Sequence, residues 1–157
     1  MMRPLLIALL SFGVTFASKP ALSVEWQSGE SGQNAWAEVS GGSTNLRLSC
    51  NQSEQDVRFL LSGGPFEDMK NVDDGHDTLM MWIALPDGRT ARHPIDGQYH
   101  APDRAFVGRL LVSDIVMEQF RNGSSMSLTT SQGNTLAKFS MKGTGKARGH
   151  FRQSCGL

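Results

Sequence analysis

The sequence predicts a mainly β, β-sandwich-like protein with antiparallel strands, one short helix near residues 113–121, and a C-terminal helix tied back by a disulfide. Three observations predict it. Short apolar-alternating segments recur between Gly, Pro, Asn and Asp turns; the hydrophobic period lengthens to about four near residues 113 and 144; and the chain has only two cysteines, Cys50 and Cys155. With 157 residues, 39% hydrophobic and 19% charged, the chain is long enough for one core and short for two. Equal numbers of acidic and basic residues, 15 each, argue against a dedicated nucleic-acid binder, and the apolar content argues against disorder.

The N-terminus reads as a secretory signal peptide spanning residues 1–23. Arg3 supplies its positive end, Leu5 through Ala17 its apolar run, and Ala21 and Ser23 the small residues before the cut. The run is too short for the roughly 20 residues that span a bilayer, so no transmembrane span is expected. The expected location is periplasmic or secreted. Loss of Arg3 and Lys19 takes the formal charge from zero to −2 and leaves residues 24–157 as a single β-rich domain. In an oxidising compartment two cysteines without CxxC spacing point to a structural Cys50–Cys155 bridge.

Residues 24–34, rich in Ser, Gly and Gln, read as a loose leader that carries Trp26. Strands are expected at 35–39 and 46–50. In the second, strict alternation puts Leu46, Leu48 and Cys50 on one face and Arg47 and Ser49 on the other. A strand at 57–61 ends at Gly63-Gly64-Pro65. Residues 66–77 carry Glu67, Asp68, Asp73, Asp74 and Asp77 against Lys70 and read as an acidic surface loop. The apolar run 78–85 reads as a buried strand with Trp82 in the core, and Pro86-Asp87-Gly88 turns it into a return strand at 90–95. Pro94 bars that strand from the middle of a sheet. A second turn at Asp96-Gly97 then presents Gln98, Tyr99 and His100.

A strand is expected at 105–111. Ser113 is a good N-cap, Asp114 suits a first turn, and Arg121-Asn122-Gly123 a last turn and stop, which defines the helix. Strands at 125–130 and 135–141 form a hairpin around Gln132-Gly133-Asn134. In the C-terminal helix Ala147, Phe151 and Cys155 recur every four residues, so Cys155 faces the core as Cys50 does.

The strand Leu46-Arg-Leu-Ser-Cys50, the helical segment 113–120, Phe139-Ser-Met-Lys-Gly143, the helix with Ala147 and Phe151, and Cys155 form an ordered set. In this it resembles the small periplasmic proteins of the VasI/TagO type associated with type VI secretion, and more distantly the invasion-associated locus B proteins. The resemblance implies a β-sandwich-like accessory or interaction protein of the bacterial envelope, with no active site to carry over.

For chemistry, the strings Asp73-Asp74-Gly75-His76-Asp77, His93-Pro94-Ile95-Asp96 and His100-Ala101-Pro102-Asp103 mix His with carboxylate but match no ligand spacing. If the 78–95 hairpin forms, His93 could approach His76, which keeps a metal-dependent or metal-free hydrolase as an alternative. A sandwich that binds a small ligand or polysaccharide is another. No Gly-x-Ser-x-Gly nucleophile setting occurs. Gly143-Thr-Gly-Lys146 reads as a glycine-rich helix entry, and the basic residues between Lys138 and Arg152 as a solvated face that could meet anionic envelope polymers.

The leading expectation is a non-enzymatic envelope interaction protein without a cofactor: a secretion accessory, an inhibitor or an immunity-like protein. Its expected partner is another envelope or secreted protein. The expected binding face is Arg92, His93, Tyr99 and His100, with Tyr99 as an exposed anchor and Asp73, Asp74 and Asp77 for steering.

Overall fold

The computed structural model describes residues 24–53 and 56–157, so the expected signal peptide at 1–23 lies outside the described residues. Among them, nine strands form one antiparallel sheet: β1 Gln27–Ser31, β2 Asn34–Gly41, β3 Thr44–Asn51, β4 Asp56–Ser62, β5 His76–Ala84, β6 Thr90–His100, β7 Ala105–Leu111, β8 Ser125–Thr129 and β9 Thr135–Ser140. Their order across the sheet is β1-β2-β3-β4-β7-β6-β5-β8-β9. The two ends of that order meet. The Trp26 amide, just before β1, donates to the Lys142 carbonyl, just after β9, at 2.9 Å, and the Trp26 indole Nε1 donates to the Ser140 carbonyl at 2.7 Å. The sheet therefore curls, and its inner face supplies both layers of a sandwich-like core.

Period-two burial builds that face. Leu46, Leu48 and Cys50 on β3, Val57, Phe59 and Leu61 on β4, and Leu79, Met81 and Ile83 on β5 are all buried. Helix α1, Asp114–Asn122, is capped by Ser113, whose Oγ accepts from the Val116 amide, and it buries Met117 and Phe120. Helix α2, Thr144–Cys155, buries Ala147, Phe151 and Cys155, and Cys155 is bonded to Cys50. Phe120 joins the two helices to the chain entry: its ring lies 5.2 Å from Trp26, edge to face, and 6.4 Å from Phe151. No helix among the described residues is long and apolar enough to cross a membrane.

Several local readings are corrected. The expected loose leader holds strand β1, and Trp26 is core, because the polar Gln-Ser-Gly-Glu-Ser segment pairs with β2 through backbone bonds that need no apolar face. The apolar run 78–85 is not buried throughout. It alternates, leaving Trp82 half-buried on the outer face, where Nε1 donates to Thr129 Oγ1 at 3.0 Å and Arg92 lies over the ring.

The turn expected at Asp96-Gly97 does not form, and β6 runs on to His100. Gly97 stands opposite Gly108 of β7, and a Cβ there would come within 2.3 Å of the Val107 carbonyl, so this glycine serves close strand approach rather than a turn. Pro94 is tolerated in the same strand because β7 pairs with β6 only from Asp96 onward. Gly123 caps α1 as expected, its amide donating to the Gln119 carbonyl at 2.9 Å from an extended backbone. Arg148, read as part of a solvated basic face, is buried between the helices, 3.9 Å from carboxylate oxygens of Asp114 and Glu118.

Candidate functional site

The residues expected to form one binding face are divided by the fold. Tyr99 is 4% exposed and packs edge to face on Phe66 at 6.3 Å, so it is core and not an exposed anchor. The correction follows from the missing turn: in an unbroken β6, Tyr99 shares the inner face with Ala91 and Ile95. His100 lies seven residues beyond His93, roughly 23 Å at ~3.3 Å per residue. Arg92 points outward over Trp82, whereas His93 points inward.

The acidic loop is tied to its neighbours. Asp73 accepts from the Ala101 amide at 2.7 Å, Asp77 from the Lys70 amide at 2.6 Å, and Asp74 from Gln98 Nε2 at 3.5 Å. These three carboxylates brace the loop on the open end of the β5–β6 hairpin, where His100 Nδ1 also meets Asp103 at 3.0 Å. His76 does not approach His93. Their cross-strand partners are Gln98 and Met81, on opposite faces of the sheet. Among the described residues no group of three or more His, Cys, Asp or Glu side chains is placed to hold a metal.

At the other end of the hairpin a groove of about 560 Å³ runs between the β5–β6 turn and α1. Leu85, Pro86 and Ile115 supply its apolar surface, and Asp87, Asp114 and Glu118 stand around it with one cation, Arg89, which is paired to Asp87 at 2.7 Å. Both walls are firm. The turn is closed by Leu85 and Arg89 across a 2.8 Å backbone bond, and α1 is held by its cap and by Met117 and Phe120 in the core. Ile115 is 70% exposed, a large apolar side chain turned to solvent on an otherwise amphipathic helix. The Arg89 amide and guanidinium hold the Asp87 carboxyl below its usual pKa.

His93 lies behind this groove. Its Nε2 is 2.9 Å from Gln119 Oε1, a groove-lining side chain, so the imidazole fixes α1 against β6. Burial lowers its pKa, and the Gln119 bond offsets this only in part. The folded state therefore binds fewer protons than the unfolded chain once pH falls below the ordinary His value of ~6.5. Stability should fall on acidification from that value down to the lowered folded pKa, and His93→Asn should flatten this part of the curve. Chemical denaturation from pH 7.5 to 5 measures it; an identical slope in the variant would contradict the assignment.

The groove escaped the sequence reading although both of its walls were read. A turn at 86–88 and a helix at 113–121 are local signals, but their contact is long-range. The one sequence sign was Ile115, which falls off the Val116–Phe120 stripe. No family model matches the chain, and neither does any curated protein or solved structure.

Proposed function

We propose that the protein is an exported, non-enzymatic interaction module of the bacterial envelope that docks a segment of another envelope or secreted protein in the groove between the β5–β6 turn and α1. The observation that carries this reading is the groove itself: an exposed Ile115 beside Leu85 and Pro86, with the three carboxylates of Asp87, Asp114 and Glu118 outnumbering the one lining cation, Arg89. Charge complementarity specifies the occupant. An apolar side chain flanked by Lys or Arg buries its body on Ile115 and meets the carboxylates with its charges. The ordered resemblance to the VasI/TagO type and the Cys50–Cys155 bridge support an envelope setting. Under this reading Arg92 and His93 contribute by supporting the hairpin, and the Asp73, Asp74, Asp77 loop acts as a brace.

Site-specific photo-crosslinking in the native envelope tests the proposal. A crosslinker at Ile115 should give one discrete adduct whose attached peptide carries an apolar residue beside Lys or Arg. The same group at Val72, exposed in the acidic loop, should give none. Equal adducts at both positions, or none at Ile115, would overturn it.

A further inference from the structure

The outer face of the sheet carries a second recess, independent of the groove, lined by donors. Trp36 on β2, Ser49 on β3 and Arg58 on β4 are successive cross-strand partners, so the three side chains form one outward row. Arg47, two residues before Ser49, shares the face. Together with Asn34 and Asn51 they line a pocket of about 240 Å³. No carboxylate is among the described residues that line it.

Two of the donors, Arg47 and Asn34, are held in place. Arg47 lies over the Trp36 ring at 4.8 Å, and its Nη1 donates to Glu38, outside the lining, at 2.8 Å. Asn51 Nδ2 donates to Asn34 Oδ1 at 2.7 Å, which engages the Asn34 oxygen and leaves its NH₂ group as a donor. Arg58 is exposed and has no hydrogen-bond or ion-pair partner among the described residues. Further along the row Arg109 is paired with Asp56 at 2.7 Å, which leaves the Arg58 guanidinium as the cation of the row that can turn to an anion.

We infer that this recess binds a terminal phosphate group, as inorganic phosphate or as a monoester. The fork of Arg58, with the Arg47 guanidinium, the Ser49 hydroxyl and the Asn34 amide, supplies more donors than the roughly four lone-pair sites of a carboxylate accept, and suits the three terminal oxygens of a phosphate, while the Trp36 ring forms a wall. The group could be free, on a sugar or on a lipid headgroup, and the same chemistry serves all three.

The test follows the Trp36 indole and arginine Nε resonances of the oxidised protein by nitrogen–proton NMR at constant ionic strength. Probes are inorganic phosphate, glucose 1-phosphate, and phosphatidylcholine vesicles with and without phosphatidic acid. Saturable shifts of Trp36 and Arg58 are expected, and the tightest probe identifies the source. Arg58→Ala should weaken binding by about tenfold or more with the melting temperature unchanged, while Lys146→Ala, an exposed cation on α2, should leave it as it was. Equal shifts with acetate, shifts no larger than with chloride, or native affinity in Arg58→Ala would overturn the assignment.

Discussion

Cys50→Ala and Cys155→Ala are each expected to destabilise the protein by a few kcal/mol, and the double variant by no more than either alone. The bridge spans 105 residues of sequence, for which chain entropy gives an upper figure of about 4.7 kcal/mol. The two sulfurs join β3 to the last residue of α2, so their loss frees the helix whose Phe151 packs against Phe120. Equal single effects are expected because one bond is lost in either case, and the shared bond makes the two substitutions non-additive. Urea denaturation of the four proteins measures it. Additive losses would mean that each cysteine contributes by packing rather than by the bond.

Trp26→Ala should cost about 3–5 kcal/mol, the range for large-to-small aromatic core substitutions. Trp26 is 3% exposed, meets Phe120 edge to face, and is the point where the first and last strands of the sheet are joined. Its removal opens a cavity beneath α1 and strips the Ser140 carbonyl of the indole donor. Trp26→Phe should recover part of the loss, since it restores the edge contact but not the bond to Ser140. A change under 1 kcal/mol in Trp26→Ala would show that the segment before β1 is dispensable. Residues 24–26 would then belong to a leader after all.

What was legible in the sequence was what local period and local chemistry encode. Alternation at Leu46, Leu48 and Cys50, the Ser113 cap and the four-residue spacing of Ala147, Phe151 and Cys155 each follow from the geometry of one element, and each survives in the fold. The two inward-facing cysteine patterns were enough to place the bridge.

The misreadings share a cause. Strand β1 is held by its pairing to β2 rather than by its own polar residues, and Gly97 looked like a turn because a glycine required for close approach carries the same letter as one required for reversal. That single glycine misplaced Tyr99, and with it the expected binding face. The groove depends on where α1 comes to lie against the β5–β6 turn, and the donor recess on the register that lines up Trp36, Ser49 and Arg58; neither is written in a local period.

The central claim is that the groove at Ile115 is the docking surface, and the most direct measurement is the affinity of the partner recovered through the Ile115 crosslink for native protein, Ile115→Asp and Asp114→Asn. Because Ile115 is exposed, Ile115→Asp should melt as the native protein does, whereas Asp114→Asn, which removes a first-turn charge near Arg148, should melt slightly lower. Ile115→Asp should weaken binding at least about tenfold through faster dissociation. Asp114→Asn should mainly slow association and flatten its dependence on salt. Native affinity in Ile115→Asp, with the partner still bound at full strength, would contradict the account.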